Sequence, residues 1–331
     1  MKTSVAFSPK VLELDAPRAL QKIEERIREI VFRDLRRKGA VIGLSGGIDS
    51  SVTAALCVRA LGKDRVFGVL MPEEDSSADS LRLGKLLAES LGISSAVENI
   101  APTLQALGCY RRRDEAIRLV IPEYAAGWKS KIALPDLVDS SHYPVYSVVA
   151  QKPTGEIRRV RLTPESYRGI VAATNFKQRV RKTLEYYYAD RLWYAVAGTP
   201  NRLEYAQGFF VKNGDGSADF KPIAHLYKTQ VYQMAEYLGI PEEIRRRPPT
   251  TDTYSLEQSQ EEFYFALPLR TMDLCMYGKN HGISPKEVAP GIGLTAEQVD
   301  RVYKMIDSKL SSTQYLQRSA QLIERVEEVK H

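Results

Sequence analysis

The chain has 331 residues, 27% of them charged and 44% apolar, a balance that fits a globular protein and excludes a disordered or fibrous one. Its formal net charge of +6 is modest for that length. The arginine clusters Arg111-Arg112-Arg113, Arg158-Arg159 with Arg161, and Arg245-Arg246-Arg247 read as solvated basic faces or as contacts to an anionic ligand; without interleaved aromatics they make a poor nucleic-acid footprint.

No apolar stretch reaches bilayer length, and Met1–Ser8 lacks the apolar core of a secretory signal, so a cytoplasmic location is expected. Cys57, Cys109 and Cys275 are far apart and show no metal or redox spacing, which predicts reduced, structural thiols.

Leu20, Ile23, Ile27, Ile30, Val31 and Leu35 recur at helical spacing over residues 16–38, with Asp15 as N-cap and Gly39 as stop. An amphipathic helix is predicted there. A strand at 40–45 then breaks into Leu44-Ser45-Gly46-Gly47-Ile48-Asp49-Ser50-Ser51, and a helix runs from Asp49 to Leu61, closed by Gly62.

That turn carries the most chemistry. Gly46 and Gly47 let the backbone approach an anion, and the N–H groups at the helix start aim partial positive charge at it. Ser45, Ser50 and Ser51 add hydroxyl donors, and Asp49 places a carboxylate where a magnesium ion bridges to phosphate. No Gly-Lys-Ser/Thr follows, so the turn is not of the Walker type.

Val66–Leu70 reads as a second strand, residues 78–91 as a helix and Ala96–Ile100 as a third strand. The alternation predicts an α/β fold with a doubly wound parallel sheet and right-handed crossovers. Ligands in such folds bind at the carboxyl ends of the strands, where the glycine turn lies.

The alternation stops over 108–166, where Tyr143–Ala150 and Glu156–Leu162 flank Lys152-Pro153-Thr154-Gly155 as a β-hairpin; this is an insertion or lid. A long helix at 167–190, a strand at 193–197 and a glycine-containing loop to 222 resume the pattern. Helices follow at 228–238, 260–276, 285–289 and 296–309, the last with Thr295 and Gln298 as a capping box. The charged end, 323–331, is expected to fray.

Several segments, in order, resemble the ammonia-dependent NAD synthetases, a family within the N-type ATP pyrophosphatases. They are Leu44–Ser51, the Asn175-x-x-x-Arg179-x-Arg181 helix, Gly198-Thr199-Pro200-Asn201-Arg202-Leu203-Glu204, Gly208–Gly216 with Asp219, Pro222–Val231, and Pro249-Thr250-Thr251-Asp252. The likeness covers roughly 17–105 and 168–252. It implies a single domain over 1–331, built as a five-stranded adenine nucleotide alpha hydrolase-like sheet, with the insertion at 108–166 and a C-terminal helical region at 255–331. It also implies a homodimer, and the chain is too short to hold a complete glutaminase domain besides.

The implied reaction has two steps: a substrate carboxylate attacks the α-phosphate of ATP and releases pyrophosphate, then ammonia displaces AMP from the acyl adenylate. A carboxylate is already an anion at neutral pH, so the scarcity of histidine does not count against this chemistry. By the resemblance Asp49 and Glu204 hold Mg2+; Leu44, Ser45, Gly46, Gly47, Ile48, Asp49, Ser50, Ser51, Thr199, Lys228 and Thr250 bind ATP; Asn175, Arg179, Lys212 and Asp219 bind the deamido-NAD acceptor. Asp49, Lys228 and Lys212 carry the catalysis.

Each position also has a plain structural reading. Asp49 serves as a helix N-cap, Glu204 as a surface acid, Asn175 and Arg179 as a solvated helix face, Lys212 and Asp215 as turn residues, and Lys228 as an exposed helix start. The stripe Leu184, Tyr187, Tyr188, Leu192 reads as core or subunit contact, and His142 and His225 as structural.

The acceptor half departs from the family pattern. Ser255–Arg270 replaces its Gln-x-Asp-Glu to Leu-Gly-x-x-Tyr segment, and Ser311–Gln317 stands where its His-Lys pair belongs. Three rivals follow: the same adenylating chemistry on another carboxylate, with the insertion and its arginines forming the altered pocket; a tRNA-modifying ATP pyrophosphatase; and a non-enzymatic nucleotide-binding protein.

Overall fold

The computed structural model describes residues 7–134, 146–250, 253–265 and 267–328. His142, Asp252 and the start of the expected hairpin arm at Tyr143 lie outside them.

A parallel sheet forms the centre. Its strands are β1 (Ala40–Gly43), β2 (Val66–Leu70), β3 (Ser94–Val97) and β7 (Ala195–Val196), in the order β3-β2-β1-β7. Side chains alternate across it as the pleat requires. Ala40, Ile42 and Leu44 face α1 (Ala16–Arg28), α2 (Ile48–Leu61), α3 (Ala78–Leu91) and α8 (Lys228–Tyr237); Val41 and Val69 face α4 (Ala101–Ala106), α5 (Cys109–Arg118) and α6 (Pro164–Leu192).

Helices therefore cover both faces, as in a doubly wound fold. Central α2 is buried nearly all round, with Val52, Ala54, Leu56 and Cys57 fully enclosed. Among the described residues no helix is long and apolar enough to cross a membrane, and the three cysteines are free and buried.

Five strands were expected in this sheet, and among the described residues it has four. Where a fifth would lie, a single parallel bridge joins Ala197 to Phe220; Pro222, two residues on, has no N–H to extend the ladder. The strand expected over 193–197 is also shortened, because Trp193 takes a left-handed conformation (φ 60°) to close α6.

Within the segment 108–166 the expected hairpin forms around the 152–156 turn, and a third strand that was not expected joins it to make an antiparallel sheet. It comprises β4 (Lys129–Ala133), β5 (Ser147–Gln151) and β6 (Ile157–Arg161) in that order. Ile132, Val148, Ala150 and Leu162 pack on Ile117 of α5 and Ile170 of α6, so the sheet is fastened to the main body.

The other helices are α7 (Arg202–Gln207), α9 (Glu242–Arg246), α10 (Leu269–Asn280), α11 (Pro285–Ile292) and α12 (Ala296–Gln317). Phe265, Met272, Cys275, Met276, Val302 and Ile306 make a core between α10 and α12 with Leu12 and with Leu203 of α7, while Ile244 of α9 packs in the main core. The Asp15 cap and the Thr295–Gln298 box form as expected. The first helix ends at Arg28 and continues as a π-helical turn, Glu29–Asp34; α12 runs eight residues past its expected end. Of the stripe on α6, Leu184 and Tyr188 pack in the core while Tyr187 is exposed.

Candidate active site

The first strand ends at Gly43, and the turn Ser45-Gly46-Gly47 leads into α2 with Gly47 as N-cap. Gly46 has φ +71°, and a Cβ on it would come within 2.5 Å of the Ser80 carbonyl oxygen. Conformation and space therefore both demand glycine. The hydroxyls brace the turn: Ser45 Oγ accepts from the Gly47 N–H (3.3 Å), and Ser50 and Ser51 donate to the Gly47 carbonyl at 3.0 and 2.8 Å.

Leu44, Ser45, Gly47, Ile48, Asp49 and Ser50 line a cavity of about 690 Å3; Gly46 and the buried Ser51 do not.

Two further elements converge on Asp49. Lys228 opens α8 and, fully buried, pairs its ammonium with Asp49 Oδ2. Asn201, the N-cap of α7, accepts from the Leu203 and Glu204 N–H groups and donates through Nδ2 to Asp49 Oδ1 at 3.0 Å. Glu204 accepts from the Asn201 N–H (3.0 Å) and from Gln260 Nε2 (2.9 Å).

Burial, and then the charge of Asp49, push the Glu204 carboxyl up to about 8. Burial works against the Lys228 ammonium, but Asp49 and Glu204 outweigh it and hold its pKa above the usual lysine value. Two carboxylates thus crowd one lysine in a dry site.

Asp49 is not the helix N-cap, and Lys228 is not an exposed helix-start lysine. Among the described residues no group of three or more acid, histidine or cysteine side chains could hold a metal alone. The acid pair fits a hard divalent cation that takes its remaining ligands from phosphate and water, and a cation there would relieve the repulsion that raises Glu204.

Thr199, Thr250, Asn175, Arg179 and Lys212 also line the cavity. Lys212 Nζ donates to the Tyr315 and Arg318 carbonyls (2.9 and 3.1 Å) at the end of α12, and Arg179 Nε donates to the Lys212 carbonyl (3.3 Å). Asp219 lies off the cavity, accepting from the Val196 N–H (2.7 Å) and the Tyr186 hydroxyl (3.2 Å).

Of the insertion, Tyr146 reaches the cavity, stacked on Tyr167 of α6 at 4.6 Å. Its arginines do not line it: Arg113 pairs with Asp75 and Arg158 with Glu123. Arg247 does, held by the Ser77 and Ser80 hydroxyls at 3.1 and 2.9 Å.

Gln260 and Asp273 were missed from the sequence. Asp273, buried in α10, accepts from the Lys228 N–H (3.2 Å) and from the N–H and hydroxyl of Thr229 (2.7 Å each), and so sets the start of α8. No local pattern marks either residue. Asn201 carries a signal, since Asn-x-x-Glu is a capping-box spacing.

The NAD synthase family model matches residues 19–126 and 142–315. The chain belongs to the NAD synthase family. The match takes in both ends of the 108–166 segment and leaves out 127–141.

Among curated relatives, the chain is 59% identical over 306 residues to the NH(3)-dependent NAD(+) synthetase of Mesorhizobium japonicum, covering 92% of this chain and 96% of that one. It is 56% identical over 326 residues to that of Rhizobium meliloti, covering 98% and 97%. Among solved structures, the NH3-dependent NAD synthetase of Campylobacter jejuni, in complex with nitrate, superposes with a TM-score of 0.62 at 22% identity, over 94% of this chain and 100% of that one; this likeness speaks to the fold. As a member of the family the chain is a ligase of NAD biosynthesis with ATP as co-substrate.

Proposed function

We propose that this NAD synthase family member amidates the carboxylate of deamido-NAD, adenylating it with ATP and then displacing AMP with ammonia. The observation that carries the reading is the convergence of Asp49, Lys228, Asn201 and Glu204 beside the glycine turn, on a cavity large enough for a nucleotide and its partner.

In the first step the acceptor carboxylate attacks the α-phosphorus; a bond forms to its oxygen while the bond to pyrophosphate breaks. Catalysis amounts to positioning the reactants and cancelling the charge that builds on the leaving group. The turn's N–H groups and Ser45 and Ser50 receive phosphate oxygens, and Lys228 turns from Asp49 toward the developing negative charge. Thr199 and Thr250 orient the nucleotide, and Gly46 and Ser51 shape the turn from behind.

Asp49 and Glu204 would hold Mg2+, which when bound neutralises phosphate charge. Asn175, Arg179 and Lys212 engage the acceptor, with Asp219 supporting the strand beside them. In the second step ammonia adds to the acyl carbon, the intermediate loses a proton, and AMP leaves with the bonding electrons.

We read the chain as a single domain that acts as a cytoplasmic homodimer supplied with free ammonia. Pyrophosphate release from ATP, measured with ammonium chloride against deamido-NAD, a panel of small carboxylates and tRNA, tests the reading. Turnover is expected with deamido-NAD, and Asp49→Asn should abolish it without unfolding the protein. Turnover with another acid alone would sink the acceptor assignment, and activity surviving in Asp49→Asn would remove that residue from the centre.

A further inference from the structure

Three lysines line the cavity: Lys212, Lys228 and Lys309. The first two are committed, Lys228 to Asp49 and Lys212 to two carbonyls at the end of α12. Lys309, on α12, has looser attachments. Its ammonium donates to the Tyr264 carbonyl and lies 3.8 Å from the centre of the Tyr264 ring, which is itself stacked on Phe209 at 4.5 Å.

Among the described residues no carboxylate stands within ion-pair distance of it. Glu261, on the same turn as Tyr264, accepts from the Leu269 N–H, and Glu204 of α7 is held by Asn201 and Gln260. Asp307 of α12 is taken by Lys279 of α10. Among the described side chains the remaining ionisable one facing it is Tyr264 itself, a phenol that carries no charge at neutral pH.

An ammonium has three donors. One is spent on a carbonyl, and the amine lies over the Tyr264 ring, which leaves donor capacity on a side chain that lines the cavity. A cation kept away from counter-ions in a partly dry wall is costly unless something anionic arrives there.

We propose that Lys309 is a specificity-determining residue of the acceptor site, binding a phosphate of the dinucleotide; this rests on the reading of deamido-NAD as acceptor. The reacting carboxylate must meet ATP at the Asp49–Lys228 centre, and none of the contacts of Lys309 belongs to that centre. The acceptor's remaining anionic group is its diphosphate bridge. Cation–π contact with Tyr264 and the carbonyl hold the amine in place until that charge arrives.

Burial pushes the Lys309 ammonium down to about 7. The free enzyme therefore holds this cation below that pH and loses it above, so affinity for the acceptor should fall as pH rises. An arginine at the position stays charged throughout.

The experiment is steady-state kinetics of wild type, Lys309→Met and Lys309→Arg with deamido-NAD, ATP and ammonium, from about pH 6 to about pH 9. At the acid end Lys309→Met should raise the KM for deamido-NAD about tenfold or more, the loss of one charge-assisted hydrogen bond, and leave the KM for ATP within about twofold. Lys309→Arg should restore the acceptor KM and flatten its rise with pH.

An unchanged acceptor KM in Lys309→Met, an equal rise in the KM for ATP, or the same pH profile in wild type and Lys309→Arg overturns the inference. Should Lys309→Met fail to fold, the profile of Lys309→Arg decides alone. Wild type that does not turn over deamido-NAD overturns the functional reading, and the assignment of Lys309 with it.

Discussion

Lys228 sits against Asp49 because of Asp273, 45 residues further along the chain. The Asp273 carboxylate takes the backbone N–H groups of Lys228 and Thr229 together with the Thr229 hydroxyl, which is N-capping supplied from another helix. Asp273→Ala would strand those donors in a buried place. It is expected to lower the unfolding free energy by about 1–3 kcal/mol in urea titrations and to raise the KM for ATP, since the Lys228 stem loses its anchor. Asp273→Asn, which keeps an acceptor, should recover most of the stability. Burial lifts the Asp273 carboxyl to about 6, so between its ordinary range and that pH the folded form holds a proton that the unfolded form has released. Stability therefore falls as pH rises through this window, by no more than about 1.4 kcal/mol per pH unit. A stability profile of Asp273→Asn as steep as that of wild type over pH 4–6 would show that this carboxyl is not the source.

The turn between β1 and α2 shows how much a local motif can carry. Gly46 needs both its left-handed φ and its lack of a Cβ, because the Ser80 carbonyl stands at 2.5 Å from where that atom would go. Gly46→Ala is expected to cost about 1–2 kcal/mol for the conformation alone and to push the turn away from α3, so the KM for ATP should climb steeply while circular dichroism stays native. An unaltered KM would mean that the turn tolerates the shift and does not hold phosphate. Elements written in short-range pattern were legible in the sequence: the strand–turn–helix at 40–61, the strand at 66–70, the helix at 78–91 and the Thr295 capping box. Elements decided by packing were not. The strand β4 reads Lys129-Ser130-Lys131-Ile132-Ala133, a polar stretch whose buried members, Ser130, Ile132 and Ala133, become visible only when Gln151–Ser147 pairs beside it. The same divide runs through the site. Asp49, Glu204 and Lys228 stand in contiguous motifs, and they meet; Gln260 and Asp273 act across the fold, and Asp219, though it stands in a motif, faces away from the cavity.

At the scale of the molecule, one buried ionic node joins the insertion to the nucleotide-binding core. Lys177 of α6, 1% exposed, pairs with Glu73 (3.0 Å) and Asp75 (2.6 Å) from the loop after β2 and donates to the Thr253 carbonyl (2.7 Å). Arg113 of α5 pairs with the same Asp75 oxygen at 2.6 Å, and the Tyr110 hydroxyl donates to Glu73 at 2.9 Å. Arg113 also pairs with Asp114 at 2.9 Å, so two cations and three acids gather where four segments meet, three of them bordering the cavity. A buried network of paired charges contributes modestly as a whole, yet removing one member leaves a charge uncompensated in low dielectric. Lys177→Met is accordingly expected to lower the unfolding free energy by about 3–5 kcal/mol, far more than removing the exposed Arg191 on the same helix. Adding Glu73→Gln to it removes the opposite charge of the same pair, so the double variant should be more stable than the sum of the two single losses implies. A double-mutant cycle in urea reads that coupling directly: strictly additive losses would mean the node is packing rather than paired charge, and would leave the loop after β2 and the insertion without the tie that holds both to α6.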